Sequence, residues 1–314
     1  MKQIVIRHDV DFSDRFYEQG VDLSFEFARS ISQTKSALRE SNVLITNPHH
    51  WNNEFLDSMS AGDWVQTTST GYAAFPLDKM SERGIHLTNA LGNYSIPVAE
   101  HVFAMMLGLT RRLRMFDKNQ RMEYWDRIDG ENLQELHNMN MTIVGLGDIG
   151  AAIARRALAF DMNVQAIKKN PDSDYHPLKR TSVHKLNELD LLLPETDVLV
   201  LVVPLNDSTY HLLNKQRLGL LPDTAMVINV ARGPVIEQSS IEQALASGKI
   251  AYAGLDVFDP EPLPANSPLW NMENVILTPH VAGRSDQFIP RFMDLFLENY
   301  SRYESGTKLK NQLV

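Results

Sequence analysis

The sequence predicts an α/β protein built on parallel sheets, and three observations carry that reading. Short apolar runs recur along the whole chain, separated by stretches with helical spacing. One run, 141–144 (MTIV), leads directly into Gly145, Gly147 and Gly150, spaced G-x-G-x-x-G, with a helical pattern after it. The length, 314 residues, is that of two domains rather than one.

Taken in order, 3–6 (QIVI), 43–46 (VLIT), 64–68 (WVQTT) and 85–89 (IHLTN) read as strands. The polar segment 25–39 reads as a helix before the second of them. Strands alternating with helices place helices on both faces of a parallel sheet. Ligands of such sheets sit beyond the carboxyl ends of the strands. Two loops there are candidate substrate loops: 47–51 (NPHHW) and 69–72 (Ser69, Thr70, Gly71, Tyr72). His49 and His50 are either solvated loop residues or pocket walls. Residues 69–72 form either a plain turn or, the favoured reading, backbone N–H groups aimed at an anion. Next, 97–114 (PVAEHVFAMMLGLTRRLR) reads as one long apolar helix, with Pro97 in its first turn and basic residues at its end. Its Met and Phe side chains read as core. The polar and aromatic stretch 116–140 shows no strand pattern and reads as an arm for a partner subunit.

The glycine motif follows at once. After it, Ile149, Ile153, Ala157 and Phe160 recur at helical spacing, and 164–167 (VQAI) reads as the next strand. In this context each glycine has a task. Gly145 permits the tight turn, Gly147 lets backbone approach a pyrophosphate, and Gly150 lets the helix lie close to the strand. The helix start at Asp148 and Ile149 offers free N–H groups and a positive dipole end. A dinucleotide site is the expectation; a tight βα turn in some other doubly wound protein is the plainer alternative.

Downstream, four buried strands each end in a residue with chemical potential. Residues 198–203 end at Pro204, 225–230 at Ala231 and Arg232, 253–257 hold Asp256, and 275–278 precede Pro279 and His280. The last helix, 286–303, is amphipathic and is expected to return to the first domain. Arg232, in NVARG, is placed to pair with a carboxylate. Glu261, in DVFDPEPLP, and His280, in LTPHVAG, lie on loops after strands of the same sheet. A carboxylate bonded to an imidazole fixes its tautomer and favours its protonated form. Such a histidine can give a proton to a carbonyl oxygen while hydride arrives at carbon. The alternatives are a surface arginine, a salt-bridged surface glutamate and a satisfied strand-end histidine.

Composition narrows the partners. The net charge is −9, and no basic stripe advertises a nucleic-acid surface. A small anionic substrate needs only a few local cations and stays open. There is no cysteine, which removes disulfides, thiolate catalysis and zinc–cysteine sites and fits a cytoplasmic protein. No metal site is expected. Neither a signal peptide nor a membrane-spanning run is evident.

These residues carry a resemblance. VGLGDIG with its helix, the VVPLNDST stretch, VINVARGPVI, LDVFDPEPLP and NVILTPHVAG are similar to the D-isomer-specific 2-hydroxyacid dehydrogenases, in order and with few gaps across 141–283. That family includes glyoxylate and hydroxypyruvate reductases, phosphoglycerate dehydrogenase and D-lactate dehydrogenase. Upstream, SIPVAEHVFAMML resembles the family's crossover helix, and STGYAAFPLDKMSERGIHLTNA its substrate-side loop. The first 60 residues match only in general pattern.

The resemblance implies two Rossmann-like or flavodoxin-like domains with parallel sheets and an active site in the cleft between them. The substrate domain would be 1–96 plus 285–314, and the dinucleotide domain 97–284. Arg232 would bind the substrate carboxylate, His280 would be the acid/base and Glu261 its partner. The backbone of 69–72 would hold the carboxylate, with Thr70 and Gly71 as donors. Asp256 would contact the nicotinamide carboxamide, and Pro204 and Ala231 would line its side of the cleft. Homodimers through the cofactor domain and the 116–140 arm are implied.

One departure bears on the cofactor. NAD-using members carry an acidic residue after the second strand of the motif, for the ribose 2′-hydroxyl. Here that place holds Lys168, followed by Lys169. A cation suits a 2′-phosphate, so NADP(H) is favoured over NAD(H), unless both lysines point to water. The expected reaction is reduction of a 2-ketoacid to a D-2-hydroxy acid. Phosphoglycerate oxidation, which lacks an obvious second cation cluster here, and a non-enzymatic dinucleotide-sensing corepressor are the alternatives. His49, His50, Trp51, Tyr72 and Phe75 suggest aromatic and imidazole pocket walls.

Overall fold

Apolar runs with both faces covered by helices form the strands, and glycine, proline and polar clusters end them. The computed structural model describes residues 3–18, 20–125, 133–170 and 180–314. In chain order, the elements open with β1 (Gln3–Arg7), α1 (Ser13–Glu18), β2 (Ser24–Phe27), α2 (Ile31–Leu38), β3 (Ser41–Thr46), β4 (Trp64–Thr67), α3 (Leu77–Glu82) and β5 (His86–Thr88). They continue with α4 (Ser95–Thr110), α5 (Leu113–Arg121), β6 (Asn140–Val144), α6 (Asp148–Ala159), β7 (Asn163–Ile167) and β8 (Thr181–His184). The last set is α7 (Leu189–Leu192), β9 (Val198–Leu201), α8 (Lys215–Leu220), β10 (Met226–Asn229), α9 (Gln238–Ala246), β11 (Tyr252–Leu255), β12 (Val275–Leu277) and α10 (Phe288–Glu304). The chain divides into two compact units, Met1–Tyr94 with Ser285–Val314, and Ser95–Arg284.

The first unit holds a five-stranded parallel sheet in the order β2-β1-β3-β4-β5. Alternate residues of β1 feed opposite cores: Ile4 and Ile6 pack with Phe16, Phe292 and Phe296, while Val5 packs with Leu38, Leu44 and Phe55. Trp64 stacks on Phe296 with ring centroids 5.2 Å apart, which fastens α10 to this sheet. Each such buried side chain contributes about 1.5–3 kcal/mol. The C-terminal residues cover the β5 edge, with Leu313 N–H donating to Leu87 C=O at 2.8 Å.

The second unit holds a seven-stranded parallel sheet, β12-β11-β10-β9-β6-β7-β8. Strands β9 and β10 are buried along their whole length. The order reverses at β6 and β9, so the crevice beyond their carboxyl ends is the switch point where doubly wound sheets bind ligands.

Two expectations are corrected here, and one strand is added. The helix expected over 25–39 is α2 alone; Ser24–Phe27 is a strand whose Phe25 and Phe27 alternate toward the α10 core. The helix expected over 97–114 stops at Thr110, because Arg112 adopts a left-handed backbone (φ 51°) and α5 starts afresh at Leu113. Strand β8, at the sheet edge, is a polar strand that the hydrophobic pattern does not announce. Part of the expected 116–140 arm, 126–132, lies outside the described residues. Among the described residues no helix is long and apolar enough to cross a membrane.

Candidate active site

The glycine turn is built by steric necessity. Gly145 has φ +112°, and a Cβ there would stand 2.5 Å from the Val202 carbonyl oxygen. A Cβ at Gly150 would stand 2.0 Å from the Gly145 oxygen, so α6 leaves the strand at close range. At Gly147, by contrast, a Cβ would meet nothing within 4 Å. Gly147 precedes α6 in extended conformation, and the first-turn N–H groups of Asp148, Ile149 and Gly150 have no carbonyl to bond within the helix. Open backbone at a positive helix end is the cradle a pyrophosphate requires, and these residues fit a dinucleotide. Asp148 Oδ2 is buried there with no hydrogen-bond partner among the described residues. The N–H groups of Gly145 and Leu146 both donate to the Ile167 oxygen, at 3.0 and 3.1 Å. That ties the turn to the end of β7, where Lys168 is half-buried and Lys169 exposed. After β9, Pro204 is exposed, and its carbonyl accepts from the buried Thr209 hydroxyl at 2.7 Å.

Arg232, Glu261 and His280 leave the carboxyl ends of β10, β11 and β12, which are neighbours in the sheet. His280 Nδ1 lies 2.9 Å from Glu261 Oε2, and Glu261 Oε1 accepts the Phe258 N–H at 3.0 Å. The glutamate is thereby held at both oxygens, and the imidazole is left with Nε2 for another partner. The two side chains are 50% and 38% exposed, so a small molecule can reach them. His280 itself adopts φ +55°, a left-handed conformation that costs a non-glycine residue about 1–2 kcal/mol. Its N–H donates to the Asp256 and Thr278 carbonyls, at 2.8 and 3.0 Å, which holds it there. Arg232 is exposed, with Nη1 donating to the Ala231 carbonyl at 2.6 Å; Ala231 is buried.

Two positioning residues escape the sequence reading. Asn229, buried at the end of β10, accepts the Ala231 N–H at 3.0 Å and donates to the Arg232 carbonyl at 3.2 Å. It shapes the turn that presents Arg232. At Gly233 a Cβ would stand 1.7 Å from the Phe258 oxygen. The arginine loop therefore lies directly on the loop that carries Glu261. The available signals are a polar residue closing an apolar strand and a glycine directly after an arginine.

Asp256 lies beneath the turn that carries His280. It is buried, 1% exposed, and its carboxylate accepts from Thr278 Oγ1 at 2.6 Å, Val281 N–H at 2.9 Å and Ala282 N–H at 3.0 Å. Its oxygens are committed to the turn around His280.

In the first unit, the 69–72 loop follows β4. Ser69 N–H donates to Thr67 Oγ1 at 3.2 Å, and Gly71 N–H donates to Ser69 Oγ at 3.1 Å. A local serine turn takes the Gly71 N–H here. The Thr70 carbonyl accepts from Asn89, and the Thr68 carbonyl from the Tyr94 hydroxyl, whose pKa burial pushes up to about 12. Tyr72 and His49 are exposed. His50 Nε2 lies 2.7 Å from Asp9 Oδ1, and Trp51 packs against Phe75 with centroids 4.9 Å apart, joining the loops after β3 and β4. No group of three or more His, Cys, Asp or Glu among the described residues could hold a metal ion.

Comparison with known proteins places this geometry. The family described as D-isomer specific 2-hydroxyacid dehydrogenase, NAD binding domain, matches residues 103–282. A glyoxylate reductase of Thermofilum pendens is 34% identical over 259 residues, 78% of this chain and 73% of that protein. A glyoxylate/hydroxypyruvate reductase B of Yersinia enterocolitica is 30% identical over 306 residues, 96% of this chain and 93% of that protein. The crystal structure of a D-isomer specific 2-hydroxyacid dehydrogenase family protein from Aeromonas salmonicida superposes with a TM-score of 0.84 at 28% identity, covering 100% of this chain and 99% of that one. The chain belongs to the D-isomer specific 2-hydroxyacid dehydrogenase family, nicotinamide-dependent oxidoreductases acting on CH–OH donors.

Proposed function

We propose that this protein reduces a 2-ketoacid to a D-2-hydroxy acid, with His280 as the proton donor. The observation that carries the reading is the 2.9 Å contact of His280 Nδ1 with Glu261 Oε2, one strand away from the cation Arg232. Arg232 pairs with the substrate carboxylate and polarises the adjacent carbonyl. Glu261 accepts from Nδ1 and stabilises the imidazolium, so that Nε2 holds the proton. As negative charge develops on the carbonyl oxygen, Nε2 delivers that proton to it. The bound reduced nicotinamide supplies the hydride. The Thr70 N–H assists with the carboxylate, and His49 and Tyr72 are substrate-side walls. The relatives' names support glyoxylate or hydroxypyruvate as substrate, and broader 2-ketoacid reduction competes.

Gly145, Gly147, Asp148, Ile149 and Gly150 hold the pyrophosphate, and Pro204 and Ala231 lie on the nicotinamide side. NADP(H) is favoured over NAD(H), because Lys168 and Lys169 stand after β7 where a ribose-binding carboxylate would otherwise be. A homodimer is supported by the exposed Leu113, Met122, Tyr124 and Trp125 on and after α5, and absence of cysteine supports a cytoplasmic setting.

The test is the initial rate of nicotinamide oxidation, NADPH and NADH in parallel, against glyoxylate, hydroxypyruvate, pyruvate, 2-ketoisocaproate and phenylpyruvate. Turnover with NADPH preferred is expected. Turnover with NADH preferred discards the 2′-phosphate assignment alone. Tight dinucleotide binding without turnover on any ketoacid overturns the reductase reading in favour of a sensor.

A further inference from the structure

Helix α4 is apolar over most of its surface, with Val98, Ala99, Val102, Phe103, Met105 and Met106 buried. His101 interrupts it. Its Nε2 lies 2.9 Å from Thr278 Oγ1 and 3.7 Å from Asp256 Oδ1, and its side chain is only 20% exposed. An imidazole against a buried carboxylate is costly unless the two are joined by hydrogen bonds.

The proton positions follow from counting. Asp256 receives two backbone N–H groups and one hydroxyl, so its carboxylate acts as acceptor only. Thr278 has a single hydroxyl proton, and it lies on the 2.6 Å contact to Asp256 Oδ1. Thr278 Oγ1 must therefore accept from His101, which fixes a proton on His101 Nε2. The chain of contacts then runs from His101 through Thr278 to Asp256. From Asp256 it runs to the N–H groups of Val281 and Ala282 and, by the Asp256 carbonyl, to the N–H of His280.

We infer that His101 is a positioning residue for the proposed proton donor. It orients the Thr278 hydroxyl, which fixes Asp256, which in turn holds the 278–282 turn with His280 in its left-handed conformation. His101 touches neither substrate nor cofactor in this scheme. It rests on the reading of His280 as the acid. A left-handed histidine is not self-sustaining, and an error of about 1 Å in the position of a reacting group can cost about a hundredfold in rate.

The test uses the full-length protein and four variants. His101→Leu removes the donor, and His101→Gln restores an N–H. Thr278→Val removes the hydroxyl at equal volume, and Thr278→Ser keeps it. We expect His101→Leu and Thr278→Val each to lower kcat by about tenfold or more, with Kd for the dinucleotide within about twofold of wild type. The Gln and Ser variants regain most of that loss, and the Leu/Val double variant is no worse than the worse single one, because both break one path. Either His101→Leu retaining wild-type kcat, or Leu and Gln variants falling alike, overturns the assignment.

A second readout is independent of turnover. In 15N-labelled protein the His280 Nδ1–H resonance bonded to Glu261 should shift or broaden in His101→Leu and return in His101→Gln. Wild-type protein inert on every ketoacid overturns the reductase reading, and this resonance then decides the positioning role by itself. An unchanged resonance in His101→Leu sinks it.

Discussion

His280 Nδ1 and Glu261 Oε2 stand 2.9 Å apart, joined across loops that follow adjacent strands, β12 and β11. Geometry of this kind orients a histidine with its other nitrogen outward. His280→Ala should lower kcat by about 10²–10⁴-fold, the usual worth of a positioned acid, while dinucleotide Kd changes little. Glu261→Gln keeps a hydrogen-bond acceptor but loses the charge, and its kcat should fall by about tenfold or more, less than in His280→Ala. Steady-state kinetics with fluorescence titration of the dinucleotide separates the two effects. Wild-type turnover in His280→Ala would remove His280 from the chemistry.

The Gly233–Phe258 contact supplies a prediction about assembly of the site. A Cβ at 233 would stand 1.7 Å from the Phe258 oxygen, which is backbone and cannot rotate away. Gly233→Ala must separate the arginine and glutamate loops. It should destabilise the unit by about 1–3 kcal/mol, lower Tm by several degrees and lower kcat at least tenfold. Calorimetry and kinetics on the same preparation check this. A variant with wild-type Tm and kcat would show that the loops are not pressed together.

The extent to which this was legible in the sequence follows burial. Strands β9 and β10 are buried at every residue, so their apolar runs stand out. Strands β2 and β8 are half-buried edge strands, and their mixed composition hides them. Arg232, Glu261 and His280 stand out as candidates because all three lie on loops at the carboxyl ends of strands of one sheet, where doubly wound sheets bind ligands. Asn229, Thr278 and His101 do not, because what they do depends on a partner far along the chain: His101 meets a hydroxyl from β12's loop, and no local pattern encodes that. Gly71 shows the converse. Its N–H looked available, and a neighbouring serine takes it.

The proposed preference for NADP(H) can be tested at position 168. Lys168→Asp replaces a cation suited to a 2′-phosphate with an acceptor for a ribose hydroxyl. A charge-assisted hydrogen bond contributes about 1.5–3 kcal/mol, so the ratio of kcat/KM for NADPH to that for NADH should fall about tenfold to a hundredfold. An unchanged ratio would mean that position 168 does not meet the ribose.

Stability should depend on pH through two groups at the end of β1. Burial, the largest cause, lowers the pKa of His8 from 6.5, reinforced by the nearby His50 and opposed by Asp9. The Asp9 carboxyl is lowered from 3.8, chiefly by its hydrogen bond with His50. Both folded values lie below the unfolded ones, so in each window the unfolded chain binds more protons and stability rises with pH. The contribution of His8 is fully present above 6.5 and is lost as pH falls from there through its folded value. That of Asp9 is present above 3.8 and is lost on further acidification. Calorimetric Tm measured from neutral pH downward should therefore decline in two steps. His8→Gln should flatten the first, leaving the second in place, and Asp9→Asn should make the second shallower without abolishing it, because the carboxyls of Glu188, Glu237, Asp286 and Glu298 are also lowered. Equal slopes for wild type and His8→Gln just below pH 6.5 would show that the folded protein does not resist charging His8.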